Sequence, residues 1–221
     1  SFEWIGALAL VIVALFLLPR LIKSGIFTIP QYLEYRYDRK TRTLLSVFML
    51  VFYVMITIAT VLYAGAFALK EIFDTSLLTG IWVIGLTAGL YTVYGGLKAV
   101  VWSDMIQGTA LIVGGALITY LGMKEVGGFD RFVELSDGRL HTVLPLDHPT
   151  LPWLAVFVGG MWIPNLFYFG LNQFIVQRTL GAKNIIEGQK GILFGASIKL
   201  IMPIIIIFPG IIAYELYGNE I

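Results

Sequence analysis

Long apolar runs separated by short polar stretches set the rhythm of the chain. They lie at roughly 1–18, 44–70, 76–94, 105–123, 151–177 and 190–213. A helix that crosses a bilayer needs about 20 mostly apolar residues, so the pattern predicts an all-α membrane protein with six transmembrane helices in a single domain, 1–221. The alternation over about ten residues that marks a transmembrane β-strand is absent. The run at 151–177 departs from a simple span. Gly159-Gly160 loosens it, and Pro164 removes a donor and frees the Gly160 carbonyl. Asn165 and Tyr168 follow at helical spacing, with Asn172 one turn further on. Irregular backbone at membrane depth survives where it is buried in protein or lines a wet cavity. The segment therefore reads either as an interrupted helix at a midplane site for a polar solute, or as a proline kink whose polar groups join neighbouring helices.

Composition narrows the function classes. Of 221 residues, 58% are hydrophobic and 13% charged, and the mean hydropathy is +0.85. A net charge of +1 leaves no electrostatic footprint for nucleic acid. Without cysteine, disulfide and thiol chemistry are excluded. No nucleophile–base pair or metal-ligand set is visible, so an enzyme is not expected. Basic residues orient the spans. Ten (Arg20, Lys23, Arg36, Arg39, Lys40, Arg42, Lys98, Arg178, Lys183, Lys190) fall on one side, which is then cytoplasmic, and four (Lys70, Lys124, Arg131, Arg139) on the other. The chain opens within an apolar run and reads as an excerpt of a longer transporter.

Several polar positions have a local reading. Thr28-Ile-Pro-Gln31 resembles a capping box opening a short interfacial helix to about Tyr37. Gly85-Leu-Thr-Ala-Gly89 and Gly191-Ile-Leu-Phe-Gly195 are small-xxx-small patterns expected to pack helices closely. Tyr94-Gly95-Gly96-Leu97 is expected to turn the chain between the third and fourth spans. Asp104 then has two readings: a cap, with Ser103, on the fourth helix, or a way-station for cations. The outer loop Gly122–Thr150 holds His141 and His148, expected to be solvated, since a metal site needs more ligands at better spacing.

Lys199 is the second anomaly. It lies nine residues beyond Lys190, roughly 13 Å into the hydrocarbon at helical rise. A lysine there costs at least ~2.5–3.5 kcal/mol on insertion scales and belongs in the bundle interior. Pro203 frees the carbonyl of Lys199 itself. Glu3, among Phe2, Trp4 and Ile5, is the matching anion. If buried, the two charges need each other or a shared polar ligand.

These residues resemble a known family. Ser1-Phe-Glu-Trp4, the run Tyr94–Gln107 with its Trp102-Ser103-Asp104-x-x-Gln107 block, Asn165–Gln173 followed by Ile175-Val-Gln-Arg178, and Gln189-Lys-Gly191 leading to Ile198-Lys-Leu200 are similar to the solute:sodium symporter family, in particular its bacterial sodium/galactose branch. The resemblance covers essentially the whole chain. It implies part of an inverted-repeat (LeuT-type) core with alternating access, in which the six spans look like core helices two to seven. It implies that Glu3, Asn165 and Lys199 hydrogen-bond sugar hydroxyls. Tyr168 would stack on the pyranose ring and close its cytoplasmic side, and Asp104 would serve cation movement near the inner exit. Gly6 stands where the galactose branch has a sugar-contacting serine, and Phe169 replaces a tryptophan.

The expected function is sodium-coupled import of a galactose- or glucose-like sugar across a plasma or inner membrane. The co-transported sodium ion would be bound mainly by helices outside this chain. A hexose offers hydroxyls that donate and accept, and an apolar ring face; an acid, an ammonium, an amide and an aromatic ring match that inventory. The alternatives are a family member for another solute (inositol, sialic acid, an amino acid or a carboxylate) and a non-transporting membrane sensor or scaffold.

Overall fold

Eight helices carry the described chain. The computed structural model describes residues 2–26, 28–136, 140–141 and 153–218. The helices are α1 (Glu3–Lys23), α2 (Ile29–Arg36), α3 (Arg39–Phe73), α4 (Leu77–Val126), α5 (Phe129–Leu135), α6 (Val156–Gly170), α7 (Gln173–Leu180) and α8 (Ile185–Tyr217). Among the described residues α1, α3, α4 and α8 are long and apolar enough to cross a membrane.

That differs from six separate spans in two places. The expected spans 76–94 and 105–123 both lie on α4, and the expected turn between them contracts to Gly96, the one residue with non-helical backbone (φ 56, ψ −152). An L side chain rarely adopts this conformation, so glycine is required there. The run 151–177 is broken twice. One helical turn, Trp153–Ala155, passes into a π-turn at Val156–Gly160, which opens α6. Pro164 falls in the first regular turn after it, where its missing N–H costs least. The second break follows Gly170: Asn172 has extended backbone (φ −73, ψ 116) and begins α7. Asn172 therefore does not continue the Asn165–Tyr168 stripe on one helix.

The chain divides into two compact units, Thr28–Ile106 and the remainder, Ser1–Phe27 with Gln107–Ile221. In the first, the Thr28 hydroxyl accepts from the Gln31 amide at 3.2 Å and starts α2, as its sequence suggested. Asp38 starts α3 by accepting from the amide and hydroxyl of Thr41 at 2.7 and 2.6 Å. Those hydrogen bonds hold the Asp38 carboxyl below its ordinary range. Arg42 and Glu34 pair at 2.5 Å between α3 and α2. α3 and α4 meet through small residues: a β-carbon at Gly80 would lie 2.9 Å from that of Ala66, and one at Gly65 2.9 Å from Ile84.

The other unit has its core between α1 and α8. Ala7, Leu10, Val13, Ala14 and Leu18 pack on Ile192 and Ala196, with Leu166 and Phe169 of α6 against them. The part of α4 beyond residue 106 joins α8 closely: a β-carbon at Gly115 would collide with Ile205, and one at Gly122 would fall 2.9 Å from Ile212. Between them the Thr119 hydroxyl donates to the carbonyls of Gly115 and Ile204 at 2.8 and 3.1 Å. The glycines named by the small-xxx-small patterns do less. A β-carbon at Gly85 would make ordinary contact with Leu62 at 3.7 Å, while one at Gly89, Gly191 or Gly195 would meet nothing within 4 Å among the described residues. Beyond α4, what was expected as an outer loop includes the short helix α5, whose Phe132 is buried against Val126 and Ile212. His141 is exposed; His148 lies outside the described residues.

Candidate functional site

The sequence of α1 places Glu3 and Gly6 one turn apart, and α8 runs antiparallel beside it. The Lys199 ammonium donates to the Glu3 carboxylate. Side-chain exposures of 19% for Lys199 and 30% for Glu3 make this a partly buried pair. The ammonium also lies 5.0 Å from the centroid of the Phe169 ring, a cation–π distance. Trp4 donates its indole N–H to the Leu200 carbonyl at 3.4 Å, tying the same two levels together.

α6 brings an amide to the pair. Asn165 is 1% exposed. Its Nδ2 donates to the Met161 carbonyl at 2.8 Å, one turn back on its own helix. Its Oδ1 is buried and has no hydrogen-bond partner among the described residues. Gly6 is what admits it: a β-carbon there would lie 3.0 Å from Asn165 Oδ1, 3.3 Å from Phe169 and 3.5 Å from Lys199 Cε. Four elements of one chemistry thus converge on Gly6: an anion, a cation, an unspent acceptor and an aromatic face.

Tyr168 joins through its neighbour. Its ring meets Phe169 edge-on at 5.0 Å and, across the break after Gly170, Phe174 of α7 at 6.1 Å. It remains 46% exposed. Arg178 covers the far end of this aromatic row, 5.8 Å from the Phe174 centroid, while donating to the Phe174 carbonyl at 2.6 Å. Asp104 belongs to the other unit and is exposed on α4. It sits eight residues beyond Gly96, inside continuous helix, so the reading of Ser103–Asp104 as a helix cap does not hold. Among the described residues no group of three His, Asp or Glu side chains gathers as a metal site.

Two contributors were missed by sequence reasoning. Phe169 as the ring under the ammonium follows from its place one turn beyond Asn165 on α6. Gln189 donates Nε2 to the Ala14 carbonyl at 2.9 Å, joining α8 to α1 again. The available signal for the second was Pro19, which can supply no N–H to the turn before it.

The model of the sodium:solute symporter family matches residues 1–221. The chain belongs to the sodium:solute symporter family. This is a family of membrane transporters and not of enzymes, in keeping with the long apolar helices. The chain is 42% identical to a sodium/glucose cotransporter of Vibrio parahaemolyticus, over 99% of its own length and 42% of that protein's. It is 37% identical to the uncharacterized symporter YidK of Escherichia coli (strain K12), over 99% of its length and 41% of the relative's. It superposes on a solved Na+-coupled sialic acid symporter, in a substrate-bound outward-open state, with a TM-score of 0.84 and 25% identity, covering all of this chain and 47% of that one. The chain therefore spans less than half the length of these relatives.

Proposed function

We propose that this chain forms part of a sodium-coupled importer of a hexose-like sugar that works by alternating access. The observation that carries the reading is the Lys199–Glu3 pair, formed where Asn165 Oδ1 and the Phe169 ring converge on Gly6. A partly buried pair of opposite charges can exchange its mutual contact for contacts to a neutral polyol without stranding a net charge. Glu3 would accept from hydroxyls, Lys199 would donate to them, and Asn165 Oδ1 would take one more donor. Phe169 and Tyr168 would cover the apolar face of the ring. Asp104 would serve sodium on its way to the cytoplasm as an exposed carboxylate on α4. The 42% identity to a sodium/glucose cotransporter supports the sugar.

The solved relative described as a sialic acid symporter favours a second reading, in which the solute is another member of the family's range, an acid included. Glu3 beside the cation argues against an anionic solute, which would seek an uncompensated positive charge. The test is uptake by the full-length protein in proteoliposomes, with and without an inward sodium gradient, against hexoses, inositol, sialic acid and organic acids. Sodium-driven accumulation of a hexose, competed by hexoses alone, is expected. Accumulation of an acid in preference to any hexose would overturn the sugar reading, and sodium-independent behaviour throughout would overturn coupling.

A further inference from the structure

The helical ladder of α1 has a gap that another helix closes. At the π-turn Val13–Leu17 the Leu18 amide donates five residues back, to the Val13 carbonyl. That spends the donor which an α-helix would give to Ala14. The next donor in the shifted register would be residue 19, and Pro19 has no N–H. The Ala14 carbonyl is thus left without a helical partner, in a residue that is fully buried. A bare carbonyl at membrane depth is costly. Gln189 Nε2 supplies the missing donor at 2.9 Å from α8.

This contact stands in a fixed relation to the charged pair. Ala14 lies eleven residues after Glu3 and Gln189 ten before Lys199, so each is about 15–17 Å along its helix from the pair. Polar cross-links therefore pin the same antiparallel helices at two levels, Gln189–Ala14 at one and Lys199–Glu3 with Trp4–Leu200 at the other. The rest of the interface packs apolar side chains, Ala7, Leu10, Val13, Ala14 and Leu18, against Ile192 and Ala196. Apolar burial is non-directional, so directional polar contacts add definition to the register of such an interface. We propose that Gln189 is a positioning residue: by completing the α1 ladder at Ala14 it sets the axial register of α1 against α8 and so keeps Glu3 level with Lys199. The functional weight of this proposal rests on the reading of that pair as the solute site.

The test is a two-residue cycle in the full-length transporter. Gln189→Leu removes the donor. Pro19→Ala restores an N–H in the helix itself, through which Ala14 can be satisfied without Gln189. In proteoliposomes driven by sodium, Gln189→Leu is expected to raise the KM for D-glucose or D-galactose about five- to tenfold, the range of one buried hydrogen bond, with Vmax within about twofold. In the Pro19→Ala background the same substitution should be nearly silent, and Gln189→Lys, which keeps a donor of sufficient reach, should retain most of the wild-type KM. An unchanged KM in Gln189→Leu, or an equal effect with and without Pro19→Ala, would overturn the proposal. Melting temperatures of the four purified proteins provide a readout independent of transport: the losses should be non-additive, and strict additivity counts against the clip. Failure of the wild type to take up either hexose would instead overturn the functional reading, leaving the thermal cycle to judge Gln189.

Discussion

Neutralising the Glu3–Lys199 pair separates its structural from its functional role. The perturbation is the set Glu3→Gln, Lys199→Met and the double variant in the full-length protein. Fully exposed ion pairs couple by about 0–1 kcal/mol, whereas removing one partner of a fully buried pair costs about 3–5 kcal/mol. With 30% and 19% of the two side chains exposed, the coupling should fall between, at about 2 kcal/mol. The single losses should be unequal. Lys199 also lies over Phe169 at 5.0 Å, so Lys199→Met forfeits about 0.5–1 kcal/mol more than Glu3→Gln. The double variant removes both charges and should recover most of the coupling, giving a protein more stable than Lys199→Met alone. Transport should not follow. Two charge-assisted hydrogen bonds to solute, at about 1.5–3 kcal/mol each, amount to at least about a hundredfold in affinity. Thermal or detergent unfolding supplies the stability cycle, and sodium-driven hexose uptake the function. A coupling below about 0.5 kcal/mol would refute the structural argument. Normal uptake by the double variant would refute the assignment of these charges to the solute.

Further outcomes follow from other residues. Gly6→Val should crowd Asn165 and Phe169 and raise the hexose KM at least about fivefold, from about 1–3 kcal/mol of overpacking, whereas Gly89→Ala, in open space, should leave uptake unchanged. Asp104→Asn should slow uptake and raise the sodium concentration for half-maximal rate while hexose binding at saturating sodium is preserved. Asp38 caps α3 with its carboxyl held below the ordinary value of 3.8. Its folded-state preference for the anion contributes stability above the unfolded pKa, which is lost as pH falls through the lower folded one. Amide exchange at Thr41 should therefore accelerate only under strongly acid conditions, and Asp38→Asn should abolish that dependence while keeping a cap.

The charged pair was legible because a lysine in an apolar run must answer to something, and Glu3 stood in the other run with the same difficulty. Thr28 and Gln31 announced their helix start through local chemistry that needs no tertiary knowledge. Gly96 was visible as a breaker, but the expectation of a full turn around it was too generous, since one left-handed residue suffices to interrupt α4. The π-turns at Val13–Leu17 and Tyr53–Ile58 leave no residue signature, because any side chain tolerates a one-residue shift of hydrogen bonding. Gly170 and Asn172 carried the second break of the fifth run, yet their apolar surroundings favoured continuing the helix. The small-xxx-small glycines misled for a related reason: spacing identifies a smooth face without saying what lies across it. Gly80, Gly115 and Gly122, outside those patterns, are where helices meet.

Asn165 has a one-way character. Its nitrogen is committed to Met161, which aims the oxygen, lone pairs outward, at whatever comes beside Gly6. To any solute arriving there it offers electrons and asks for a proton. Under the proposed solute reading, an analogue with fluorine or methoxy in place of the facing hydroxyl would set oxygen against an electron-rich atom and be repelled, while a deoxy analogue would leave the amide unmatched. Under that reading, the choice between partners at this point would be made by a main-chain carbonyl one turn away, before the solute enters.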